Sequence, residues 1–74
     1  MNKEQLEIIA ALVDLLDITE DPIIEEVGEA FVVTLVSIDA VSDWNHIREE
    51  TYTYVIHGVE FKQISKTVDG WKHS

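Results

Sequence analysis

The spacing of apolar residues changes once along this chain, near Gly28, and that change restricts it to one class of fold. Before it, Leu6, Ile8, Ile9, Leu12, Val13, Leu15 and Leu16 recur at helical spacing. After it, residues 30–40 are dense in β-branched side chains and read as a long strand. A helical segment followed by strands joined through tight turns predicts α+β: an N-terminal amphipathic helix, plus a short second helical turn, packed on a three- to four-stranded antiparallel sheet.

The first helix carries its own start signal. Asn2 is suited to the N-cap, and Gln5 three residues on completes a capping box. On a helical wheel its apolar residues span roughly 220°, which leaves a narrow stripe of Lys3, Glu7, Asp14 and Asp17 interrupted by Ala10. A helix resting on one sheet needs only about 100° of apolar face or somewhat more. The excess calls for a second layer, from a following segment, a symmetry mate or a target. Next, Asp21-Pro22 has the form of an N-cap and first helical residue, with Gly28 as the stop, so a second helical turn is expected there, with an acidic loop as the alternative.

The strands have turn signals of their own. In residues 30–40, Val32, Thr34, Val36, Ile38 and Ala40 share one face and Phe31, Val33 and Leu35 the other. With both faces apolar at its start, this strand is either covered on two sides or bulged near Leu35-Val36. Residues 42–48 read as a loop. His57-Gly58 sits at a two-residue hairpin position, placing Ile56 opposite Val59, Tyr54 opposite Phe61 and Tyr52 opposite Gln63. Thr53 then meets Lys62 and Glu49 meets Lys66 on the solvent side. Asp69-Gly70 offers another tight turn, after which residues 71–74 add a short edge strand or fray.

We read residues 1–74 as one small acidic domain without repeats or linkers. A chain of this size buries only about 60% of its unfolded surface, and association is a common way to offset so small a core. The wide helical arc and the two-sided strand both lead us to expect a homodimer. With no cysteine there is no disulfide framework and no thiolate metal site. No basic stretch precedes an apolar run, and no run approaches the roughly 18 residues of a membrane span, so a cytoplasmic protein is expected.

Few residues are arranged for chemistry. His46 with Asp43 and His57 with Glu60 pair an imidazole with a carboxylate, but a zinc site ordinarily takes three or four strong ligands. Glu20-Asp21 and Glu25-Glu26 lack the glycine-centred, Asp-rich loop of a calcium site. There is no nucleophile elbow, phosphate-cradling loop or dinucleotide fingerprint, and the three glycines are accounted for by caps and turns. We therefore expect no metal, no cofactor and no enzymatic activity.

Charge is the informative feature. Of fifteen acidic residues, nine fall within the first 29 positions against the single base Lys3, giving that stretch −8 of the total −10. A field so lopsided repels nucleic acid and anionic membrane and attracts basic surfaces. Asp14, Asp17, Glu20, Asp21, Glu25, Glu26 and Glu29 run without an intervening Lys, Arg or His. Carboxylates at such spacings can stand in for phosphates against Lys and Arg. In composition the chain resembles small acidic phage or mobile-element inhibitors, such as anti-CRISPR or anti-restriction proteins. The expected function is occupation of a basic nucleic-acid-binding surface on a host complex, without direct contact to nucleic acid. Two alternatives remain: a small dimeric adaptor binding through an apolar surface, and an immunity- or antitoxin-type protein. For the adaptor, Trp44 is the partner-binding candidate, together with Phe31, Val33, Leu35 and Trp71 if they are not all buried.

Overall fold

The computed structural model describes the backbone of residues 1–41 and 46–73 and the side-chain surroundings of residues 1–39 and 48–68. Helix α1 spans Lys3–Leu15, followed by strands β1 (Ile23–Val27), β2 (Ala30–Val41), β3 (His46–His57) and β4 (Glu60–His73). The strands form one antiparallel sheet in the order β1-β2-β3-β4, a plain meander, and α1 packs on one of its faces. The fold is α+β, as the change of periodicity predicts.

Both ends of α1 are closed by local chemistry. Asn2 Oδ1 accepts from the Gln5 backbone N–H at 2.9 Å, and Gln5 Oε1 accepts from the Asn2 N–H at 3.1 Å, the expected capping box. The Gln5 side chain also donates through Nε2 to the Gly58 carbonyl at 2.9 Å, tying the helix start to the far hairpin. At the other end Asp17 adopts a left-handed φ of 53°. The Ile18 N–H then reaches the Val13 carbonyl at 3.0 Å and the Asp17 N–H reaches Asp14 at 3.4 Å, a Schellman closure with aspartate where glycine is commonest. Val13 and Ile18, the pair that such a closure brings together, both pack against the core.

The expected second helical turn is a strand instead. Thr19 and Glu20 donate their N–H groups to the Val36 carbonyl, and Thr19 Oγ1 accepts from the Ile38 N–H at 2.9 Å. The chain is thereby strapped along the edge of β2 before it reaches Pro22. From Ile23 it pairs directly with β2, Ile23 opposite Thr34 through Val27 opposite Ala30. Gly28 has a φ of 60° and is the first loop residue of a two-residue hairpin, not a helix stop. Asp-Pro is equally good at starting a helix or an edge strand. The free edge of β2 and the β-branched Ile23, Ile24 and Val27 decide for the strand.

The turn of the β3–β4 hairpin lies one residue later than expected, which moves every cross-strand partner near it by two. Gly58 (φ 61°) takes the first loop position and Val59 the second, so His57 pairs with Glu60, Ile56 with Phe61 and Tyr54 with Gln63. A lone glycine with positive φ at the first position defines a type II′ turn, whereas the expected register puts that glycine second. The ladder is interrupted between Thr53 and Tyr54, where Ile64 is the extra residue on β4. Thr53 therefore pairs with Ser65 and Glu49 with Asp69, replacing the expected Thr53–Lys62 and Glu49–Lys66 pairs. Asp69-Gly70 makes no turn. The strand runs on to His73, and a second interruption between Ile47 and Glu49 absorbs the irregularity. β2 itself pairs with β3 without a break from Phe31 to Val41, so there is no bulge at Leu35-Val36.

The core lies between α1 and the proximal half of the sheet: Ile9 and Leu12 from the helix, Val33 and Leu35 from β2, and Tyr52, Tyr54 and Ile56 from β3. Val33, Leu35 and Ile56 are fully buried. Val33 and Leu35 are thus core residues and Phe31 is half-buried, which withdraws them as an apolar partner-binding surface. The strands outrun the 13-residue helix, since twelve strand residues extend about 40 Å and thirteen helical residues about 20 Å. The radius of gyration, 13.8 Å, accordingly exceeds the roughly 11 Å of a compact chain of this length.

Candidate functional site

The meander turns a charge bias along the sequence into a charge separation in space. β1 is one edge strand of the sheet and β4 the other. Asp17, Glu20 and Asp21 lie on the strap beside β2, Glu25 and Glu26 on β1, and Glu29 in the turn, all exposed. Asp14 is exposed as well, in the last turn of α1. Glu25 is opposite Val32 and Glu26 opposite Phe31, so their carboxylates leave the edge on opposite faces. From the strap at Val36 to the turn at Ala30 is six residues of β2, about 20 Å. Five carboxylates, from Glu20, Asp21, Glu25, Glu26 and Glu29, occupy that length. One strand of B-form DNA places about six phosphates along it. The His57 Nε2 stands 3.8 Å from the Glu29 carboxylate, with both side chains in solvent.

Three of the five bases, Lys62, Lys66 and Lys72, belong to β4 at the opposite edge. The edges are three strand spacings apart, about 14 Å, beyond the screening length at physiological salt. The acids are therefore not internally neutralised. Sequence reasoning found the acidic residues but not this separation, which follows from strand order.

Reading by residue type alone also missed a polar cluster where the sheet extends past α1. There Leu16, Asp17, Thr19, Ser37, Asp39, Arg48 and Glu50 line an open cleft of about 400 Å³. Ser37 Oγ donates to the Asp17 carbonyl at 3.0 Å, and Arg48 Nη2 pairs with Glu50 Oε1 at 2.9 Å. The Tyr52 hydroxyl donates to Glu50 Oε2, and Lys66 Nζ stands 5.3 Å from the centre of the Tyr52 ring. The alternation of Arg48, Glu50 and Tyr52 on one strand face was the available signal.

That hydrogen bond from Tyr52 holds the Glu50 carboxyl below its ordinary pKa, against partial burial and with help from Arg48 and Lys66. The same bond, together with burial, pushes the Tyr52 phenol above its own ordinary value. A depressed carboxyl stabilises the fold above its unfolded pKa, near 4.3, and loses that contribution as pH falls through the folded value. A raised phenol contributes fully below about pH 10 and loses its contribution as pH rises through the folded value. Urea midpoints measured against pH should fall at both extremes in the native protein. In Tyr52→Phe the acid-side slope should flatten and the alkaline loss due to this residue should vanish. Unchanged profiles would show that the bond contributes nothing.

Among the described residues no three His, Asp or Glu side chains converge on a position for a metal ion. His57 is exposed at the hairpin. Trp44 lies outside the described residues, as does the side chain of Trp71. No described helix is long and apolar enough to cross a membrane. Fold and site together define a small α+β domain with an acidic sheet edge at β1 and an opposite edge, β4, of mixed charge. Comparison with known protein families, with curated proteins and with solved structures found no match to this chain.

Proposed function

We propose that this chain is a non-enzymatic inhibitor whose acidic edge occupies a basic nucleic-acid-binding surface of a host complex. Such an inhibitor acts in the cytoplasm, in the manner of phage anti-CRISPR or anti-restriction proteins. The observation that carries this reading is the exposed carboxylate row along the strap, β1 and its turn, at nearly the linear charge density of one nucleic-acid strand. A basic groove releases its condensed or bound anions on meeting such a row, so affinity falls as salt rises. The test is capture from host lysate on the tagged protein, with elution in a salt gradient. Release of a nucleic-acid-handling complex at moderate salt, and its displacement by added DNA or RNA, supports the reading. A single cognate basic toxin in its place identifies an immunity-type protein. A partner that survives high salt assigns function to apolar surface instead.

A homodimer is favoured by a second observation. The face of the sheet opposite α1 carries half-buried Val32, Val36, Ile38 and Val55, with exposed Ile23 and Val27 flanking Glu25 at its β1 edge and no described helix over it. Face-to-face packing of two copies buries these side chains. Sedimentation should give twice the monomer mass for the native chain and the monomer mass for Val36→Lys. A native monomer at tens of micromolar would remove this reading.

A further inference from the structure

Helix α1 spends only part of its wide apolar arc on the core. Ile9 and Leu12 are buried, whereas Leu15 is 77% exposed. Ile8, Ala11, Leu12 and Leu15 recur at i, i+3, i+4 and i+7, forming a stripe about 10 Å long. Beside this stripe stand Val59 in the turn and Phe61 at the start of β4, 59% and 52% exposed. Together they wall an open groove of about 510 Å³ between the helix and the β3–β4 hairpin. The Phe61 ring lies 6.4 Å from that of Tyr54, so one wall is braced by the core.

Charge identifies what fits. Glu4 and Glu7 form one lip of the groove, and the whole chain carries −10. A second copy laid helix against helix brings Glu4, Glu7 and Asp14 against their own likenesses, with Lys3 the only base on either helix. Anionic lipid meets the same repulsion. A helix with apolar residues at matching spacing and Lys or Arg on its flanks fills the stripe and pairs with the lip.

We propose that the groove between α1 and the β3–β4 hairpin docks a cationic amphipathic helix of another protein. This site is separate from the acidic edge, and neither reading requires the other.

The probe is a capped peptide of about 18 residues, long enough to form a helix, built of Leu, Ala and Lys with leucines at i, i+3 or i+4, and i+7. A control peptide has the same composition with the leucines scattered, so nonspecific attraction to the acidic chain is equal for both. Binding to the full chain is followed by fluorescence anisotropy, and the readout is the ratio of the two affinities. The patterned peptide should bind at least about tenfold tighter, the factor that burying one to two leucines supplies. Leu15→Glu should collapse the ratio towards one even though it adds negative charge. Leu15 is exposed enough that this variant keeps its fold, and Val59→Glu in the turn should do the same. Glu25→Lys with Glu26→Lys weakens both peptides but should leave the ratio unchanged, which separates this site from the acidic edge. Equal binding of the two peptides, or a ratio untouched by both groove variants, overturns the proposal. So does a dimer of the native chain that Leu15→Glu dissociates, because the occupant would then be a second copy.

Discussion

Leu35→Ala should cost about 2–5 kcal/mol, the usual range for deleting a buried leucine side chain and leaving a cavity. Leu35 is fully buried where β2 passes beneath α1, among Ile9, Leu12 and Tyr52 of the single core cluster. A domain of 74 residues has a total stability of roughly 4–11 kcal/mol. This one truncation therefore removes between about a fifth of it and all of it, and the urea midpoint should fall in proportion. Leu15→Ala is the internal control. It removes the same atoms from a side chain 77% exposed and should move stability by about 0.5 kcal/mol at most. Circular dichroism during urea titration measures both. Equal effects of the two substitutions would mean that α1 does not lie over this part of the sheet.

Glu25→Lys combined with Glu26→Lys should abolish the interaction proposed for the acidic edge while sparing the fold. Each replacement changes the charge by two, taking the chain from −10 to −6 and placing two cations in the middle of the carboxylate row. Both residues are exposed on a five-residue edge strand, so stability should change by only about 0.5 kcal/mol. Repulsion at a basic groove compounds the lost attraction, and affinity should fall by about a hundredfold or more at physiological salt. The dependence of affinity on salt should flatten with it. A variant that still captures the same complex, with the same salt sensitivity, would show that these carboxylates serve solubility alone.

Where local chemistry and tertiary demand agree, the sequence is legible. The Asn2–Gln5 capping box, the apolar spacing of α1 and the alternation of Tyr52, Tyr54 and Ile56 on one face can all be read from the order of residues alone. So can the list of acidic residues. The segment after Asp21-Pro22 reads as a helical turn because that pair starts helices and edge strands equally well, and the competing partner lies beyond it in β2. The hairpin turn moves by one residue, and the cross-strand partners by two, because glycine fits either central position of a tight turn. Val33 and Leu35 are candidates for an exposed face only because alternation divides a strand's two faces without saying which one a helix will cover.

The apolar periods, the caps, the turn glycines and the net charge are properties of neighbouring residues. They determine by themselves an α+β domain with an acidic N-terminal stretch. Which side chains of α1 are buried and which are left to line a groove depends on the angle at which the helix meets the sheet. The gathering of carboxylates at one edge, and of Lys62, Lys66 and Lys72 at the other, depends on strand order. Both rest on contacts between residues far apart in the chain, and a pattern read along one dimension holds no information about which strand lies beside which.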